Sequence, residues 1–294
     1  MVTGGAQGIG RGDVVAMLVP PTPEAAARWQ GKAWPSARVH RHMFSPLPRG
    51  AFPGVDDVQV LEFLQAQDAM GMTPDRIPRF DELNDVLRAT TGWQLVGVEG
   101  LLPELEFFDH LANRRFPVTW WIRRPDQIDY IAEPDLFHDL FGHVPLLAHP
   151  VFADYMQAYG QGGLRAADLG AIERLARLYW YTVEFGLMQD QGALRIYGAG
   201  ILSSKGESLH CLDSVAPNRI GFDLERIMRT RYRIDSYQKT YFVIDSFEQL
   251  MNATAPDFTP IYARLAAQDA IPAGDVLDGV VDVVADHRDA GVAG

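Results

Sequence analysis

Apolar residues recur at helical spacing through most of the chain beyond Asp56. The pattern predicts amphipathic helices over 60–64, 80–87, 103–113, 152–160, 219–231 and 258–267. Residues 94–98 alternate apolar and polar side chains, and 116–122 has a similar composition, so both are predicted to be short strands. The pattern thus predicts a mainly α fold with small β elements.

The stretch 171–188 is the strongest helix candidate, because apolar side chains occupy nearly every face of it. A helix that is apolar all round belongs in a protein core. We therefore expect this helix near the centre of the fold, with the carboxylate of Glu184 buried inside it.

The same pattern divides the chain into three parts. Residues 1–55 are rich in Gly, Pro and Ala and show little periodicity, which predicts a divergent, loosely ordered N-terminal segment. A compact domain is expected over 56–270. Residues 271–294 are mostly small or acidic and are expected to form a loose tail.

Gly4, Gly8 and Gly10 resemble the glycine loop of short-chain dehydrogenases. Such a loop must follow a buried strand, and here it begins almost at the N-terminus. Prolines interrupt the segment that should form the next helix, and no Lys is preceded four residues earlier by the Tyr that this family requires. The sequence therefore disfavours a dinucleotide site.

Composition narrows the possible partners. The 294 residues are 47% hydrophobic and 22% charged, as in ordinary globular proteins. Acidic residues outnumber basic ones by 38 to 26, so the net charge is −12. Such a surface repels a phosphate backbone or an anionic membrane leaflet. We expect small-molecule substrates, with neither nucleic acid nor a membrane as partner.

Cys211 is the single cysteine of the chain. An internal disulfide and a cysteine-rich metal site are therefore excluded, so any metal must be held by His and carboxylate groups. No apolar run approaches the roughly 18–20 residues of a membrane span, and no secretory signal is recognisable. These features predict a reducing, cytoplasmic location.

His138 and His143 lie five residues apart in an apolar stretch. On a regular helix this spacing places two side chains about 140° apart around the axis, too far to share one ion. We expect Gly142 to end the helix in a left-handed conformation, so that His143 turns back, and Pro145 to prevent the helix from resuming. Two core histidines with backbone partners remain the alternative.

Glu184 favours a metal site. Its helical neighbours at three and four residues are apolar or aromatic, and a buried carboxylate costs several kcal/mol unless it meets a cation or a metal. Two imidazoles and one carboxylate form the facial triad of non-haem iron oxygenases, and the same set suits a catalytic zinc.

Spacing favours iron over zinc. The zinc proteases of the His-Glu-x-x-His type have histidines four residues apart with Glu after the first, whereas here the spacing is five and Asp139 follows His138. His149 is an alternative to His143 as a ligand, although Pro150 next to it indicates a loop.

At these residues the chain resembles the pterin-dependent aromatic amino acid hydroxylases, and most closely their bacterial phenylalanine-hydroxylating members. The likeness runs from about Val58 to Tyr262. The matching strings are Gly100–Leu102, Asn113–Trp121, Pro134–Pro145, Leu178–Gly186, Tyr197–Ser204 and Tyr237–Phe247. The resemblance implies the catalytic-domain fold of that family.

The resemblance also implies roles for individual residues. His138, His143 and Glu184 match the iron ligands and are the expected catalytic centre. The residues that match the pterin site are Gly100, Leu101, Leu102, Phe107, Asp139 and Tyr179. Many relatives carry Glu where this chain has Asp139, a difference expected to tune pterin affinity.

The substrate site is implied in the same way. Arg123 matches the guanidinium that binds the substrate carboxylate, and Asp135 holds it in place. Trp180 and Phe185 match the walls of the pocket for the aromatic ring, and Ser203 matches a hydroxyl that hydrogen-bonds a ligand imidazole from behind.

The implied reaction is hydroxylation of L-phenylalanine to L-tyrosine by dioxygen, with Fe(II) and tetrahydrobiopterin or a related reduced pterin as cofactors. Trp180 and Ile234 favour phenylalanine, while tryptophan as substrate stays open. No part of the sequence matches the family's regulatory domain or its heptad-bearing tail, so a monomer is expected. A zinc hydrolase with the same three ligands and an inactive fold retained for binding are the alternatives.

Overall fold

The computed structural model describes residues 59–73, 76–98, 102–124, 127 and 133–275. The predicted N-terminal segment 1–55, most of the predicted tail, and Gly100 and Leu101 of the expected pterin site lie outside these residues. Within the described part, no helix has the length and apolar character needed to cross a membrane.

The elements up to the middle of the chain are mostly helical. In chain order they are α1 (Leu61–Ala69), α2 (Phe80–Thr90), β1 (Gln94–Gly97), α3 (Glu104–Ala112) and β2 (Arg115–Val118). The next group contains a first π-helical turn (His138–His143), a 3-10 turn (Pro145–Ala148), α4 (Pro150–Asp168), α5 (Ile172–Tyr179) and a second π-helical turn (Trp180–Glu184).

Strands and short helices alternate after the second π-helical turn. They are β3 (Gly186–Asp190), β4 (Ala193–Ile196), α6 (Ala199–Leu202), α7 (Lys205–Asp213), β5 (Asn218–Gly221), α8 (Leu224–Arg229), β6 (Thr240–Ile244), α9 (Phe247–Thr254) and α10 (Thr259–Ala266).

The strands of the described residues form two small sheets. β1 and β2 pair in parallel, with Leu95 opposite Phe116. The second sheet has the order β4-β3-β6-β5, in which β3 runs antiparallel to β4 and parallel to β6, and β5 runs parallel to β6. This sheet begins two residues after Glu184, so it fixes where the second π-helical turn ends.

The long helix α4 packs closely on α3 because glycines face the contact. A Cβ atom added at Gly160 would lie 2.4 Å from the backbone nitrogen of Ala112, and one added at Gly163 would lie 2.1 Å from the ring of Phe108. Only a hydrogen atom fits in each position, so the backbone of α4 lies directly against the backbone of Ala112 and the ring of Phe108 on α3.

Several predicted elements are confirmed. The helices predicted over 80–87, 103–113 and 258–267 correspond to α2, α3 and α10, and the predicted strand 94–98 corresponds to β1. The predicted strand 116–122 is shorter, since β2 ends at Val118. Beyond it, the amide of Thr119 donates to the carboxylate of Asp139 at 2.7 Å and so leaves the ladder.

Two predicted helices are wrong in part. The helix predicted over 171–188 ends at Glu184, and Leu187 and Met188 belong to β3. A continuous apolar run does not by itself distinguish a helix from a buried strand. The helix predicted over 219–231 begins with β5 and is helical over Leu224–Arg229 alone, because Asp223 caps it by accepting from the amide of Arg226 at 2.8 Å.

Candidate metal centre

His138 and His143 lie at the two ends of the first π-helical turn. A π-helix closes i→i+5 hydrogen bonds, and here the amide of Val144 donates to the carbonyl of Asp139 at 3.3 Å. The wider turn brings residues five apart to the same side of the helix. The two imidazole Nε2 atoms consequently lie 3.0 Å from each other.

The predicted left-handed break at Gly142 is wrong. The described glycines with positive φ are at positions 71, 92, 170 and 192, and all six residues of the first π-helical turn are buried helix. Gly142 instead permits a close contact, since a Cβ atom there would lie 2.9 Å from both Cβ and the carbonyl oxygen of Ala199 on α6.

Glu184 ends the second π-helical turn. The closing i→i+5 bond runs from the amide of Phe185 to the carbonyl of Trp180 at 2.8 Å. Oε1 of Glu184 lies 3.2 Å from Nε2 of His143, and Oε2 lies 3.5 Å from Nε2 of His138. Both ligand-bearing segments are therefore π-helical, a geometry often found at functional sites.

The ligand atoms of the three side chains have the spacing expected around one metal ion. Ligands about 2.1 Å from a metal and at right angles to one another are about 3 Å apart, and one ligand atom from each of His138, His143 and Glu184 lies within 4.8 Å of the others. Two nitrogens and one oxygen on one face leave further coordination positions open. The donor set thus fits a non-haem iron.

Charge states at the site also suit a divalent cation. Burial lowers the pKa of His138 to about 4, although Glu184 opposes this, so the imidazole is neutral near pH 7 and keeps a lone pair. Burial raises the pKa of Glu184, but the two imidazoles outweigh burial and lower it to about 2. The carboxylate is therefore ionised throughout the physiological range.

His138 is oriented by residues behind it. Its Nδ1 lies 2.8 Å from the hydroxyl of Ser203, at the end of α6. Its backbone amide donates to Oδ1 of Asp135 at 2.9 Å. Because Nδ1 is engaged with Ser203, Nε2 is the nitrogen that faces Glu184.

Arg123 and Asp135 form a buried ion pair next to this histidine. Nε and Nη2 of Arg123 donate to the two carboxylate oxygens of Asp135 at 3.0 and 2.8 Å, and Nη1 donates to the carbonyl of Ser203 at 2.7 Å. The guanidinium also lies 5.0 Å from the ring centre of Phe137. A chain of contacts thus connects Arg123 with His138.

Asp139 is held by Thr119. One carboxylate oxygen accepts from both the amide and the hydroxyl of Thr119, each at 2.7 Å. Burial raises the pKa of Asp139 to about 7, although the two hydrogen bonds from Thr119 lower it. Asp139 therefore titrates near neutral pH in the absence of a metal.

An aromatic row leads from the metal site to the expected pterin residues. Tyr179 lies 6.3 Å from His143 and 5.8 Å from Phe107, measured between ring centres. Phe107 is half-buried on α3, and Leu102 is half-buried ahead of that helix. The structure thus brings Phe107 and Tyr179 together beside the metal site.

The expected ring pocket also brings residues together. Trp180 lies 4.7 Å from Phe185 between ring centres and stacks on Tyr232 at 4.2 Å with an interplanar angle of 15°. The indole Nε1 donates to the side-chain oxygen of Gln238 at 3.0 Å. Ile234 lies in the same loop as Tyr232 and is 51% exposed.

His149, the alternative to His143 as a metal ligand, caps a helix instead. Its ring nitrogen Nδ1 accepts from the amide of Phe152 at 3.4 Å, which caps the start of α4. Its ring also packs on Phe247 at 5.2 Å. His149 is thus a helix-capping residue, and the group of described residues that could hold a metal does not include it.

Sequence reasoning did not identify Thr119, Tyr232 or Gln238. Thr119 and Gln238 lie inside strings that resemble the family, which is the signal that could have drawn attention to them. Their partners, Asp139 and Trp180, are 20 and 58 residues away in the sequence. Periodicity and spacing do not predict contacts over such separations.

Comparisons with known proteins agree with the geometry. Residues 57–261 match the family described as biopterin-dependent aromatic amino acid hydroxylase. The phenylalanine-4-hydroxylase of Ralstonia nicotianae is 67% identical over 218 residues, which are 74% of this chain and 70% of the relative. That of Chromobacterium violaceum is 64% identical over 215 residues, 73% of this chain and 72% of the relative.

A solved structure is also similar. The iron- and phenylalanine-bound phenylalanine hydroxylase of Chromobacterium violaceum superposes with a TM-score of 0.76 at 55% identity, over 86% of this chain and 88% of that one. The predicted mainly α catalytic-domain fold and the predicted family are thereby confirmed. This chain belongs to the biopterin-dependent aromatic amino acid hydroxylases.

Proposed function

We propose that this protein is a phenylalanine hydroxylase, which converts L-phenylalanine to L-tyrosine with dioxygen and a reduced pterin. The observation that carries the proposal is the convergence of two imidazoles and one carboxylate within 4.8 Å, in a chain 67% identical to a phenylalanine-4-hydroxylase. His138, His143 and Glu184 are the proposed Fe(II) ligands.

The cofactors supply the redox chemistry. Ferrous iron offers open coordination positions, and tetrahydrobiopterin or a related pterin provides electrons for the reduction of dioxygen. The protein orients the groups that would bind the metal. Ser203 holds the imidazole of His138 in the orientation that would direct Nε2 to the ion.

The proposed pterin site lies along the aromatic row. The ring of Phe107 would stack on the pterin, with Tyr179 beside it and the backbone of Gly100, Leu101 and Leu102 along its edge. Asp139, fixed by Thr119, would help to position the pterin from the metal side.

The proposed substrate site uses Arg123 and the ring pocket. Asp135 holds the guanidinium of Arg123 in a fixed plane by two parallel hydrogen bonds, which suits recognition of a second carboxylate, that of the amino acid. Trp180 and Phe185 would then contact the aromatic ring. Apolar Ile234 in the adjoining loop supports phenylalanine over a more polar substrate.

We also propose that the protein acts as a monomer in the cytoplasm, without nucleic acid or membrane partners. The net charge of −12 supports the absence of nucleic acid and membrane partners, because anionic polymers and surfaces repel an acidic protein. Analytical ultracentrifugation tests the oligomeric state against the chain mass of 32.7 kDa.

The function is tested by measuring tyrosine formed from phenylalanine with ferrous iron and reduced pterin. Protein purified without oxygen should form tyrosine, and a chelator should abolish the activity. Replacement of iron by zinc should give no tyrosine, and tryptophan offered in place of phenylalanine should react more slowly. Tyrosine formation that survives the chelator, or a hydrolase activity with zinc, would contradict the proposal.

A further inference from the structure

Gln238 is a buried amide, 3% exposed, in the chain that leads into β6. Its backbone is fixed to α7 on both sides. The backbone amide donates to Oε1 of Glu207 at 3.0 Å, and the backbone carbonyl lies 3.1 Å from Nε2 of His210. Glu207 also accepts from the hydroxyl of Tyr241 at 2.5 Å, so the anchor reaches the central sheet.

The side chain of Gln238 connects two other elements. Its oxygen accepts from the indole Nε1 of Trp180 at 3.0 Å, and its nitrogen donates to the backbone carbonyl of Arg233 at 2.7 Å. The orientation of the amide follows from its partners, because an indole N–H can only donate and a carbonyl can only accept. All four hydrogen-bonding groups of Gln238 are therefore engaged.

These contacts act on Trp180, a residue of the proposed substrate pocket. Trp180 begins the π-helical turn that Glu184 ends. The indole also stacks on Tyr232, which precedes Arg233 in the same loop. The amide of Gln238 thus fixes the indole N–H of Trp180, and it also holds the loop whose Tyr232 ring stacks on the face of that indole.

We propose that Gln238 is a specificity-determining positioning residue that sets the width of the pocket for the aromatic ring. Its side chain holds the Trp180 indole and the 232–235 loop together as one rigid wall, and the pocket beside that wall accepts a benzene ring better than an indole. The inference rests on the proposed function, because it takes Trp180 to line the substrate pocket.

Variants of this side chain remove its contacts with Trp180 and Arg233 without removing the backbone contacts that anchor residue 238. Gln238→Leu removes both side-chain hydrogen bonds but leaves the backbone contacts with Glu207 and His210, so the variant retains its anchor. Gln238→Glu keeps an acceptor for Trp180 and places a second oxygen against the carbonyl of Arg233. Trp180→Phe removes the indole N–H and leaves an aromatic ring.

Gln157 offers a matched control. Its side-chain oxygen accepts from Nε of Arg114 at 2.9 Å, and its nitrogen donates to the carbonyl of Ala112 at 3.0 Å. The amide therefore bridges an N–H donor and a backbone carbonyl as Gln238 does, but between α4 and the end of α3. Gln157→Leu should leave substrate preference unchanged.

The experiment compares kcat/KM for phenylalanine with kcat/KM for tryptophan in iron-loaded protein. Gln238→Leu should lower this ratio about tenfold, with a raised KM for phenylalanine and unchanged iron affinity, and Gln238→Glu should lower it as well, because its carboxylate repels the carbonyl of Arg233. In a Trp180→Phe background the same Leu substitution should change the ratio by less than about threefold, because residues that act through one contact are not additive.

The outcomes separate this inference from the proposed function. If wild-type protein makes no tyrosine, the proposed function is wrong and this inference is wrong with it. If wild-type protein makes tyrosine but Gln238→Leu keeps the wild-type ratio, or lowers it equally in the Trp180→Phe background, only the inference is overturned. An equal loss in Gln157→Leu would also overturn it, since the effect would then be general.

Discussion

The two π-helical turns direct their side chains to one point but are stabilised in different ways. In the first turn every residue is buried, and His138 is fixed from behind by Ser203 and Asp135. In the second turn Glu184 is partly exposed, and its carboxylate faces the two imidazoles at 3.2 and 3.5 Å. Packing and hydrogen bonds to other elements thus position the first turn, whereas the carboxylate of Glu184 is held by its contacts with the two imidazoles.

This difference indicates how the site assembles. The first turn stands ready before a metal binds, because its residues are buried and Ser203 and Asp135 hold His138 regardless of the ion. Glu184 carries the negative charge of the donor set and therefore contributes most of the electrostatic attraction for a divalent cation. The following variants test this division between a preformed pair and a charged third ligand.

The largest effect is expected from Glu184→Ala. Loss of the charged ligand should lower tyrosine formation by more than about 100-fold, since even a group behind a ligand typically changes affinity or activity by 10- to 100-fold. Iron content and turnover of the purified variant measure this. Glu173→Ala on α5, where the side chain is 79% exposed, is the control and should remain active. Near-normal turnover in Glu184→Ala would exclude it as a ligand.

Ser203→Ala tests whether His138 is held in place before the metal binds. Without the hydroxyl, the ring of His138 loses its orientation, and iron affinity should fall by about 10- to 100-fold. Titration of the metal-free variant with ferrous iron measures the change. Ser208→Ala removes a hydroxyl that bonds the carbonyls of Ile201 and Ser204, and it should leave iron affinity unaltered. Equal affinities in the two variants would show that His138 needs no support.

Gly142→Ala tests the packing of the first turn. The added methyl group would lie 2.9 Å from Ala199, and overpacking of this kind destabilises a protein by about 1–3 kcal/mol. Gly162→Ala is the matched control, because nothing lies within 4 Å of its Cβ position and Ala in a helix is favoured by about 0.5–1 kcal/mol. Denaturant unfolding of metal-free protein should therefore give opposite signs for the two variants.

The last test concerns pH. The pKa of Asp139 is raised to about 7 in the folded protein, so the folded state binds this proton more tightly than the unfolded state between about pH 4 and 7. Wild-type stability consequently loses this contribution as pH rises through that window. The stability of Asp139→Asn relative to wild type should increase with pH, by at most about 1.4 kcal/mol per unit.

Unfolding of both metal-free proteins from pH 4 to 7 measures that difference. Glu184 contributes with the opposite sign and at lower pH, because its pKa is lowered to about 2 and its contribution is lost only as pH falls below about 4.5. A constant difference between Asp139→Asn and wild type across the window would show that Asp139 is not protonated in the fold.

The sequence alone determined the chemistry of this protein and much of its helical content. Glu184 in an apolar helix required a cation, and two histidines with no cysteine cluster predicted a metal held by nitrogen and oxygen. The helices α2, α3 and α10 followed from local periodicity, since each has one apolar face. These features depend on residues within a few positions of one another.

Tertiary structure decided what local patterns could not. The histidines meet through a π-helical turn rather than a break at Gly142, and α6 packs against that glycine. Residues 219–221 form a strand because β6 lies beside them, although their spacing also suits a helix. Thr119 with Asp139, and Gln238 with Trp180, are joined across 20 and 58 residues. Such contacts depend on how distant elements pack, which periodicity in a single sequence does not encode.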